Sequence, residues 1–351
     1  MIRNILIAGA LVLSSCATAQ TRVTAGVMQG KEYGVTYTLP KTMIELSLDT
    51  SKKEYIPGEF AKYASSYLHL EGVQLEPETY WTLDQVKVAS VGVPDADKIF
   101  FVRMRDKTVA PLMELTNDGI IKTINVPFSK TKTEEQTETL ELQKKPNPKD
   151  FFTEEILMAN STAKMAELVA KEIYSIRESR NSLLRGEAEN TPHDGKQLKL
   201  MLDNLEQQEE ALTSLFKGQT IIKNKNFTVR IEPTQELNDT IICRFSKRLG
   251  VLESDNLAGE PISLSLKDMK TIVFPVDDGK KKVKGIAYNI PGKGYVTIKY
   301  NNTIITKGDL PITQFGDIEY LAPELFNKKS KVQAIFDPTT GGLIKVDQED
   351  L

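Results

Sequence analysis

The sequence predicts an α+β protein in which two long helices stand between two regions rich in strands. Apolar residues recur with a helical period between residues 153 and 217, as in an antiparallel helical hairpin. On both sides of that segment apolar and polar residues alternate as they do in strands, and turn residues separate the alternating runs. These observations predict a mixed α/β-strand domain at 31–128, a central hairpin at 153–217 and an antiparallel β domain at 218–351.

The composition is that of a globular protein and excludes several kinds of site. Of the 351 residues, 40% are hydrophobic and 26% are charged. The 45 basic and 48 acidic residues give a net charge of −3, which argues against a nucleic-acid partner. Two cysteines and two histidines are too few for a disulfide framework, a zinc ribbon or a site with three histidine ligands. We therefore expect no cofactor and no metal.

The N-terminus has the pattern of an export signal over residues 1–16. Arg3 precedes an apolar stretch that is about half the ~20 residues a membrane-spanning helix needs. The small residues that lead up to Cys16 resemble a bacterial lipobox, in which the cysteine is acylated and becomes the new N-terminus. An ordinary secretory signal cleaved after Ala19 is the alternative. The pattern favours lipidation at Cys16.

Lipidation would place the protein in the cell envelope, attached to a membrane through its acyl chains. Each buried CH₂ group contributes about 0.8 kcal/mol, so two or three acyl chains hold a protein stably. Residues 17–30 contain no aromatic residue and are expected to form a flexible tether. The stretch after Cys16 lacks an acidic cluster of the kind that often marks surface export in Bacteroidota. We therefore expect anchoring at the outer membrane, facing the periplasm.

Alternation and turn residues define the elements of the first domain. A broken strand or a hairpin is expected across Pro40. The predicted elements are strands at 35–39, 44–48, 81–88, 99–104 and 120–126, a short helix at 60–70, and turns at 94–97 and 117–119.

A charged linker is predicted at 129–152, ahead of the helical hairpin. Its first 22 residues hold five basic and five acidic residues and no aromatic residue, so they bury little apolar area. A charged surface loop is the alternative. Thr153 is a candidate N-cap for the first helix, Pro192 lies in the loop between the helices, and Gly218 is expected to end the second helix.

The last region is predicted to consist of antiparallel strands joined by hairpins. Hairpin turns are expected at 291–294 and 337–342. The predicted strands lie at 221–231, 240–245, 283–290, 295–306, 332–336 and 343–346.

Several segments together resemble one family of Bacteroidota envelope proteins, catalogued as a domain of unknown function with the number 4831. The segments are 33–42, 55–60, 176–190, 209–216, 310–316 and 336–341. The resemblance covers nearly the whole chain that follows the signal. It implies an envelope location, and it implies no reaction, ligand or catalytic residue.

Few residues stand out as chemical candidates. His69 is interpreted as a helix-end residue and His193 as a loop residue before an acidic helix cap at Asp194. Cys243 lies in a strand run and is interpreted as a small buried hydrophobic residue. Thr240 follows an aspartate and precedes an isoleucine, which fits a short acceptor pattern of Bacteroidota O-glycosylation, so it is a possible glycosylation site.

Three functional hypotheses follow from these features. The first is a non-catalytic envelope lipoprotein that serves as a scaffold or binding accessory, with the helical hairpin as a possible docking arm for a partner protein. The second is a carbohydrate-active hydrolase with paired carboxylates, although Trp81 is the sole tryptophan and few aromatic platforms are expected. The third is a small-ligand binding module, for which a deep apolar pocket is the test.

Overall fold

A computed structural model of the chain describes residues 22–25, 34–103, 113–126, 146–189, 194–273, 285–322 and 330–350. Cys16, His193, the predicted signal segment 1–16, most of the tether 17–30 and residues 129–145 of the linker lie outside the described residues.

The described residues form strands and helices in the order that the sequence predicts at the coarse level, and the fold is α+β with strands in the majority. The strands are β1 Arg22–Ala25, β2 Gly34–Ile56, β3 Glu78–Arg103, β4 Met113–Leu115, β5 Ile121–Ile124, β6 Gln219–Ile231, β7 Leu237–Ser246, β8 Gly250–Leu252, β9 Glu260–Asp268, β10 Ile286–Tyr300, β11 Thr303–Leu321, β12 Ser330–Phe336 and β13 Leu343–Asp350. The helices are α1 Ala64–Leu68, α2 Glu154–Leu157, α3 Thr162–Arg185 and α4 Gly195–Lys217, with 3-10 helices at Ala61–Tyr63 and Pro148–Phe151.

All pairings between these strands are antiparallel, and they build three sheets. The first sheet has the order β1-β3-β2-β6, the second β11-β10-β9-β7-β8 and the third β13-β12-β5-β4. Strand pairing crosses the predicted domain boundaries, because β6 pairs with β2 and β12 pairs with β5. These pairings join the predicted domains without showing where each domain begins or ends, so the domain boundaries remain predictions. Strand β1 lies within the predicted tether and forms one edge of the first sheet.

Prolines expected to interrupt the first domain instead lie in bulges of two long strands. β2 continues through Pro40, and β3 continues through residues 94–97, where a turn was expected. The register changes from Thr38↔Ile99 to Pro40↔Pro94, so residues 95–98 bulge out of the ladder. Because proline has no N–H to donate, a bulge is a position where a long strand accommodates it.

The hairpin expected at 291–294 is also a bulge within one continuous strand. β10 passes through this segment with a register shift between Ile290 and Gly292. The hairpin between β10 and β11 lies instead at Asn301 and Asn302, whose φ angles are 46° and 64°. Asparagine tolerates this left-handed conformation, which a two-residue hairpin turn requires. The hairpins predicted at 117–119 and 337–342 are confirmed.

Apolar side chains of the three sheets form two β cores that share the strands β2 and β3. The first β core consists of Tyr37, Leu39, Phe100, Val102, Ile121, Ile124, Ile286, Ala287, Leu321, Ala334 and Phe336. The second β core consists of Ile44, Leu46, Leu48, Trp81, Cys243, Phe245, Ile262, Leu264, Leu266, Val296, Ile298 and Ile312. Residues of β2 alternate between buried and half-buried on each side of the bulge at Pro40, as the strand period of two requires. The alternation changes phase at Leu39 and Pro40, which are both buried.

A buried polar seam lies where the two β cores meet. Thr42 and Thr313 exchange reciprocal bonds, each backbone N–H donating to the other's Oγ1 at 2.9 and 3.0 Å. The side-chain amide of Asn289 donates to the carbonyl oxygens of Pro40 and Thr340, both at 2.8 Å. The Pro40 carbonyl, beside the bulge, is thus satisfied by a side chain, as a buried polar group requires.

The helices pack into a separate helical core at the far end of β2. Phe60, Phe216 and Ile173 are fully buried there, together with other apolar residues of α1, α2, α3 and α4. Thr153 is a helix cap, as predicted, but the helix that it caps is the short helix α2. The long helix α3 begins after Ser161, whose side chain accepts a hydrogen bond from Lys164 N–H. The chain forms two helices here because each cap satisfies the free N–H groups at the start of its own helix.

The last predicted linker residues belong to this core rather than to a free segment. Phe151 and Phe152 pack against the helical core, and the 3-10 helix at Pro148–Phe151 has Asn147 as its cap. Gly218 ends α4 with a φ of 78°, as the sequence predicts.

A close backbone contact connects the helical core to the first sheet. The chain leaves β2 at Ile56, and the N–H of Phe60 then donates to the carbonyl of Leu215 at 2.7 Å. A Cβ placed on Gly58 would lie 2.2 Å from that same carbonyl oxygen. Glycine is therefore required at 58 because no side chain fits between the two segments.

We expect Gly58→Ala to destabilise the protein by about 2 kcal/mol or more, since either β2 or α4 must move to admit the methyl group. The measurement is the free energy of unfolding from a urea titration. Gly308→Ala is the matched control, because no atom lies within 4 Å of its added Cβ. Equal stability of the two variants would contradict the close contact.

Candidate functional site

A groove of about 590 Å³ lies where the helical hairpin meets the first sheet. It is formed by the end of β2, the start of β6 and the adjoining faces of α3 and α4. The residues that line it are Tyr55, Pro146, Arg177, Arg180, Glu206, Gln207, Glu209, Glu210, Ala211, Thr213, Ser214, Lys217, Gly218, Gln219 and Thr220. Most of these side chains are polar or charged, so the groove suits a polar ligand better than an apolar one.

Glu209 is the centre of the charged wall of this groove. Its two carboxylate oxygens each accept from a different guanidinium, Arg177 Nε at 2.6 Å and Arg180 Nη1 at 2.8 Å. The Glu209 side chain is only 14% exposed, whereas about a third of each arginine side chain remains exposed. The guanidinium of Arg177 also lies 5.5 Å from the ring centroid of Tyr174. This cluster joins α3 to α4 in antiparallel register.

The opposite side of the groove is formed by the end of α4 and by Tyr55. The Tyr55 hydroxyl lies 2.8 Å from the carbonyl oxygen of Gln74 and 3.0 Å from that of Lys217. Thr213 contributes a hydroxyl oxygen that is buried and, within the described part of the chain, has no hydrogen-bond partner. The groove therefore offers cationic and hydroxyl groups that bind anions or polar chains, and its one enclosed carboxylate is occupied by arginines.

A second, more open groove of about 700 Å³ follows the outer half of the hairpin. Leu183, Met201 and Leu205 form its apolar part, and serine, glutamate and asparagine side chains border it. Leu184 and Leu200 lie near the same end of the hairpin and are 63% and 62% exposed. The apolar residues of the second helix are not equally covered along its length. Ala211, Leu212, Leu215 and Phe216 are buried at its base, whereas Met201 is exposed near its start.

The residues that the sequence singled out lie far apart in the fold. His69 ends α1 with a left-handed φ of 54°, which confirms its interpretation as a helix-end residue. Asp194 caps α4, its side chain accepting from Lys196 N–H. Thr240 is exposed on β7, one residue after Asp239, which pairs with Lys299 at 2.7 Å. The structure brings none of these residues into the groove at the hairpin base.

Cys243 is buried in the second β core, as its strand pattern predicts. Burial raises the pKa of its thiol to about 11. A nucleophilic cysteine needs a lowered pKa and an electropositive, accessible setting, so the surroundings of this thiol oppose reactivity. Trp81 is likewise in the second β core, with the ammonium of Lys225 5.6 Å from its ring centroid, and it presents no open platform for a sugar.

Sequence reasoning missed the residues that matter most in the groove. Arg177 and Arg180 are three residues apart, a spacing that places both on one side of a helix. That signal was present in the sequence. Their common partner Glu209 lies on another helix, so their meeting depends on the register of α3 against α4.

Comparison with known proteins gives one match. The family model described as a domain of unknown function (DUF4831) matches residues 33–344. No curated protein and no solved structure matches the chain.

Two further features concern metals and membranes. Within the described ranges there is no group of three or more histidine, cysteine, aspartate or glutamate side chains placed to hold a metal ion. None of the helices in those ranges combines the length and the apolar character that crossing a bilayer requires.

We expect Glu209→Gln to destabilise the protein by about 1–2 kcal/mol, because the neutral amide leaves both guanidinium groups without an anionic partner. The free energy of unfolding, measured at low salt and in 1 M NaCl, tests this. The loss should shrink in salt, which screens part-exposed charges. Glu210→Gln is the control, since this neighbour lines the same groove but is exposed. Equal losses for both variants would contradict the assigned role of Glu209.

Proposed function

We propose that this chain, which belongs to the family described as a domain of unknown function (DUF4831), is a non-catalytic cell-envelope lipoprotein that serves as a scaffold or binding accessory. In this proposal Cys16 carries the lipid anchor in the outer membrane of a Bacteroidota cell. The folded part faces the periplasm, and the helical hairpin of α3 and α4 is the element that docks an envelope protein partner.

The observation that carries the proposal is the apolar surface near the tip of the hairpin. Leu184, Leu200 and Met201 are exposed at this end of the hairpin, and Met201 lines the open groove. Single exposed apolar residues are ordinary on protein surfaces, but several at one end of a helix pair, with a groove at the same end, are typical of a contact surface. A helix face of this kind is commonly covered by an apolar face of a partner.

The two ends of the hairpin differ in the way that a docking arm requires. At the base, Leu212 and Phe216 are fully buried in the helical core, and the arginine cluster around Glu209 holds the two helices in register. Near the tip, the apolar side chains are only partly covered. A firm base supports a defined orientation of the tip, and a preorganised surface binds at a lower cost in entropy.

The docking role can be tested by photo-crosslinking in cells. With a photo-reactive phenylalanine analogue at position 184 or 200, we expect the same discrete protein adduct from both sites. Position 257 is the control, because Leu257 is 81% exposed outside the hairpin. Leu184→Ser combined with Leu200→Ser should remove the partner from affinity-purified protein while leaving the free energy of unfolding within about 0.5 kcal/mol. Failure to form any adduct at 184 and 200, or identical adducts at 257, would contradict the docking arm.

Lipid anchoring is tested by exploiting the two cysteines. We expect Cys16→Ala to move the protein from the membrane fraction to the soluble fraction, because the acyl chains supply the attachment. Cys243→Ala is the matched control and should leave the protein in the membrane fraction, since this residue is a buried core residue. Cell fractionation shows which variant stays in the membrane fraction, and mass measurement of the N-terminal peptide shows whether it carries an acyl group. Cleavage after Ala19 with no acyl group would overturn this part of the proposal.

Modification of Thr240 by an O-linked glycan belongs to the same proposal. The residue is exposed on β7, so its hydroxyl is accessible to a modifying enzyme. An added glycan there would fit an envelope location.

A further inference from the structure

The first sheet ends in a long strand whose outer edge is open. Within the described part of the chain, β6 pairs with β2 on one side, and no strand pairs with it on the other. It extends over Gln219–Ile231, whereas the edge strands β1, β4 and β8 have three or four residues and the edge strand β13 has eight. Long edges with free N–H and C=O groups are templates for an additional strand, and short edges are a common protection against that.

The one described edge strand longer than β6, β11, is covered. β11 faces the first sheet, where Ser90 Oγ donates to the carbonyl of Pro311 at 3.0 Å and Thr306 Oγ1 donates to that of Val86 at 3.1 Å. No comparable contact covers the outer side of β6 in the described residues, and its first eight residues are all exposed. Among the described strands, β6 is therefore longer than every other edge strand except β11, which is covered.

Positive charge is concentrated at the exposed half of this edge. Lys223 and Lys225 lie on β6, and Lys52 and Lys53 lie beside them on β2. Glu54 is the carboxylate shared by two of these lysines, at 2.6 Å from Lys52 Nζ and 3.0 Å from Lys223 Nζ.

The other two lysines lie over aromatic rings. Lys53 Nζ is 5.9 Å from the ring centroid of Tyr80, and Lys225 Nζ is 5.6 Å from that of Trp81. Neither has a carboxylate within salt-bridge distance among the described residues. Because strand residues alternate between the two faces, Lys52, Lys223 and Lys225 lie on the same face of the sheet as Glu54, whereas Lys53 lies on the opposite face with Tyr80. Three ammonium groups thus share one carboxylate on that face.

The register defines which side chains an added strand would meet. Lys223 and Lys225 project to the same face of the sheet as Phe227 and Val229, since these residues are separated by steps of two. Phe227 packs against Trp81 with ring centroids 6.4 Å apart, and both Phe227 and Val229 are only partly buried. An added strand therefore meets two ammonium groups and then two apolar side chains on one face.

We propose that the outer edge of β6 binds an extended acidic segment of a partner protein as a fifth strand of the first sheet. In antiparallel orientation that segment presents two apolar residues at alternate positions, followed by two acidic residues at alternate positions. Backbone hydrogen bonds supply the affinity and the alternating side chains supply the specificity. This surface is separate from the tip of the hairpin, so it adds a second binding surface to the proposed scaffold.

A second copy of this chain fits the edge less well than an acidic partner. Two β6 edges brought together would place lysines of both copies near one another. Lysine on an edge strand is a known protection against self-association. The same charge that repels another copy attracts a carboxylate-bearing strand.

The test uses the detergent-solubilised native protein and a fluorescein-labelled peptide with the sequence Val-Thr-Val-Thr-Glu-Thr-Glu-Thr. Fluorescence anisotropy should show saturable binding, and the peptide with lysine in place of both glutamates should bind at least tenfold more weakly. Two further peptides carry N-methyl groups on alternate amides, in the two possible sets. We expect one set to abolish binding and the other to preserve it, because alternate amides of an added strand face β6.

Charge reversal on the protein provides the complementary measurement. Lys223→Glu combined with Lys225→Glu should weaken peptide binding at least tenfold, whereas Lys196→Glu combined with Lys199→Glu should leave it unchanged. The control pair has the same change in charge on exposed lysines at the start of α4. Because the N-methylated peptides are measured on the unaltered protein, that test stands even if the charge-reversal variant fails to fold.

Several results would overturn the proposal. These are absence of binding, equal binding of both N-methylated peptides, and sedimentation showing that a second copy already covers β6. Binding that occurs only after deletion of residues 133–141 would overturn it as well, because the occupant would then be the chain's own acidic stretch.

Discussion

The antiparallel ladder between β2 and β3 is the interaction on which the other parts of this structure depend. It runs from the pair Gly34↔Arg103 to the pair Tyr55↔Glu78. Its first part supplies Tyr37 and Phe100 to the first β core, and its second part supplies Leu46 and other residues to the second. One pair of strands therefore runs through both cores and connects them.

Continuity of that ladder depends on how its bulges are satisfied. Pro40 cannot donate to the ladder, and the bulge beside it leaves a carbonyl that the Asn289 side chain satisfies. The reciprocal bonds between Thr42 and Thr313 join β2 to β11 at the same level. A buried polar seam with all partners present costs little, and it specifies which strands meet because an alternative pairing would leave these groups unsatisfied.

The helical hairpin is joined to this framework at one end, and that asymmetry underlies the proposed binding roles. The close approach of Gly58 to Leu215 and the arginine pair around Glu209 hold the base. The tip carries exposed leucines, and the edge of β6 begins at the base beside the groove. Binding surfaces placed on rigid elements keep their geometry, which suits the recognition role proposed for these surfaces.

The sequence by itself determined the α+β class, the helical hairpin, a helix cap at Thr153, the end of the second long helix at Gly218 and the burial of Cys243, because periodicity and capping are local properties. It did not place the start of the first long helix, which Ser161 caps. It misplaced the breaks at Pro40 and at 291–294, because proline and glycine also occur in bulges of continuous strands. Only the tertiary structure decided that β6 pairs with β2, that Glu209 meets two arginines and that no strand of the described residues pairs with the outer edge of β6. These depend on contacts between residues far apart in the chain, for which local periodicity carries no information.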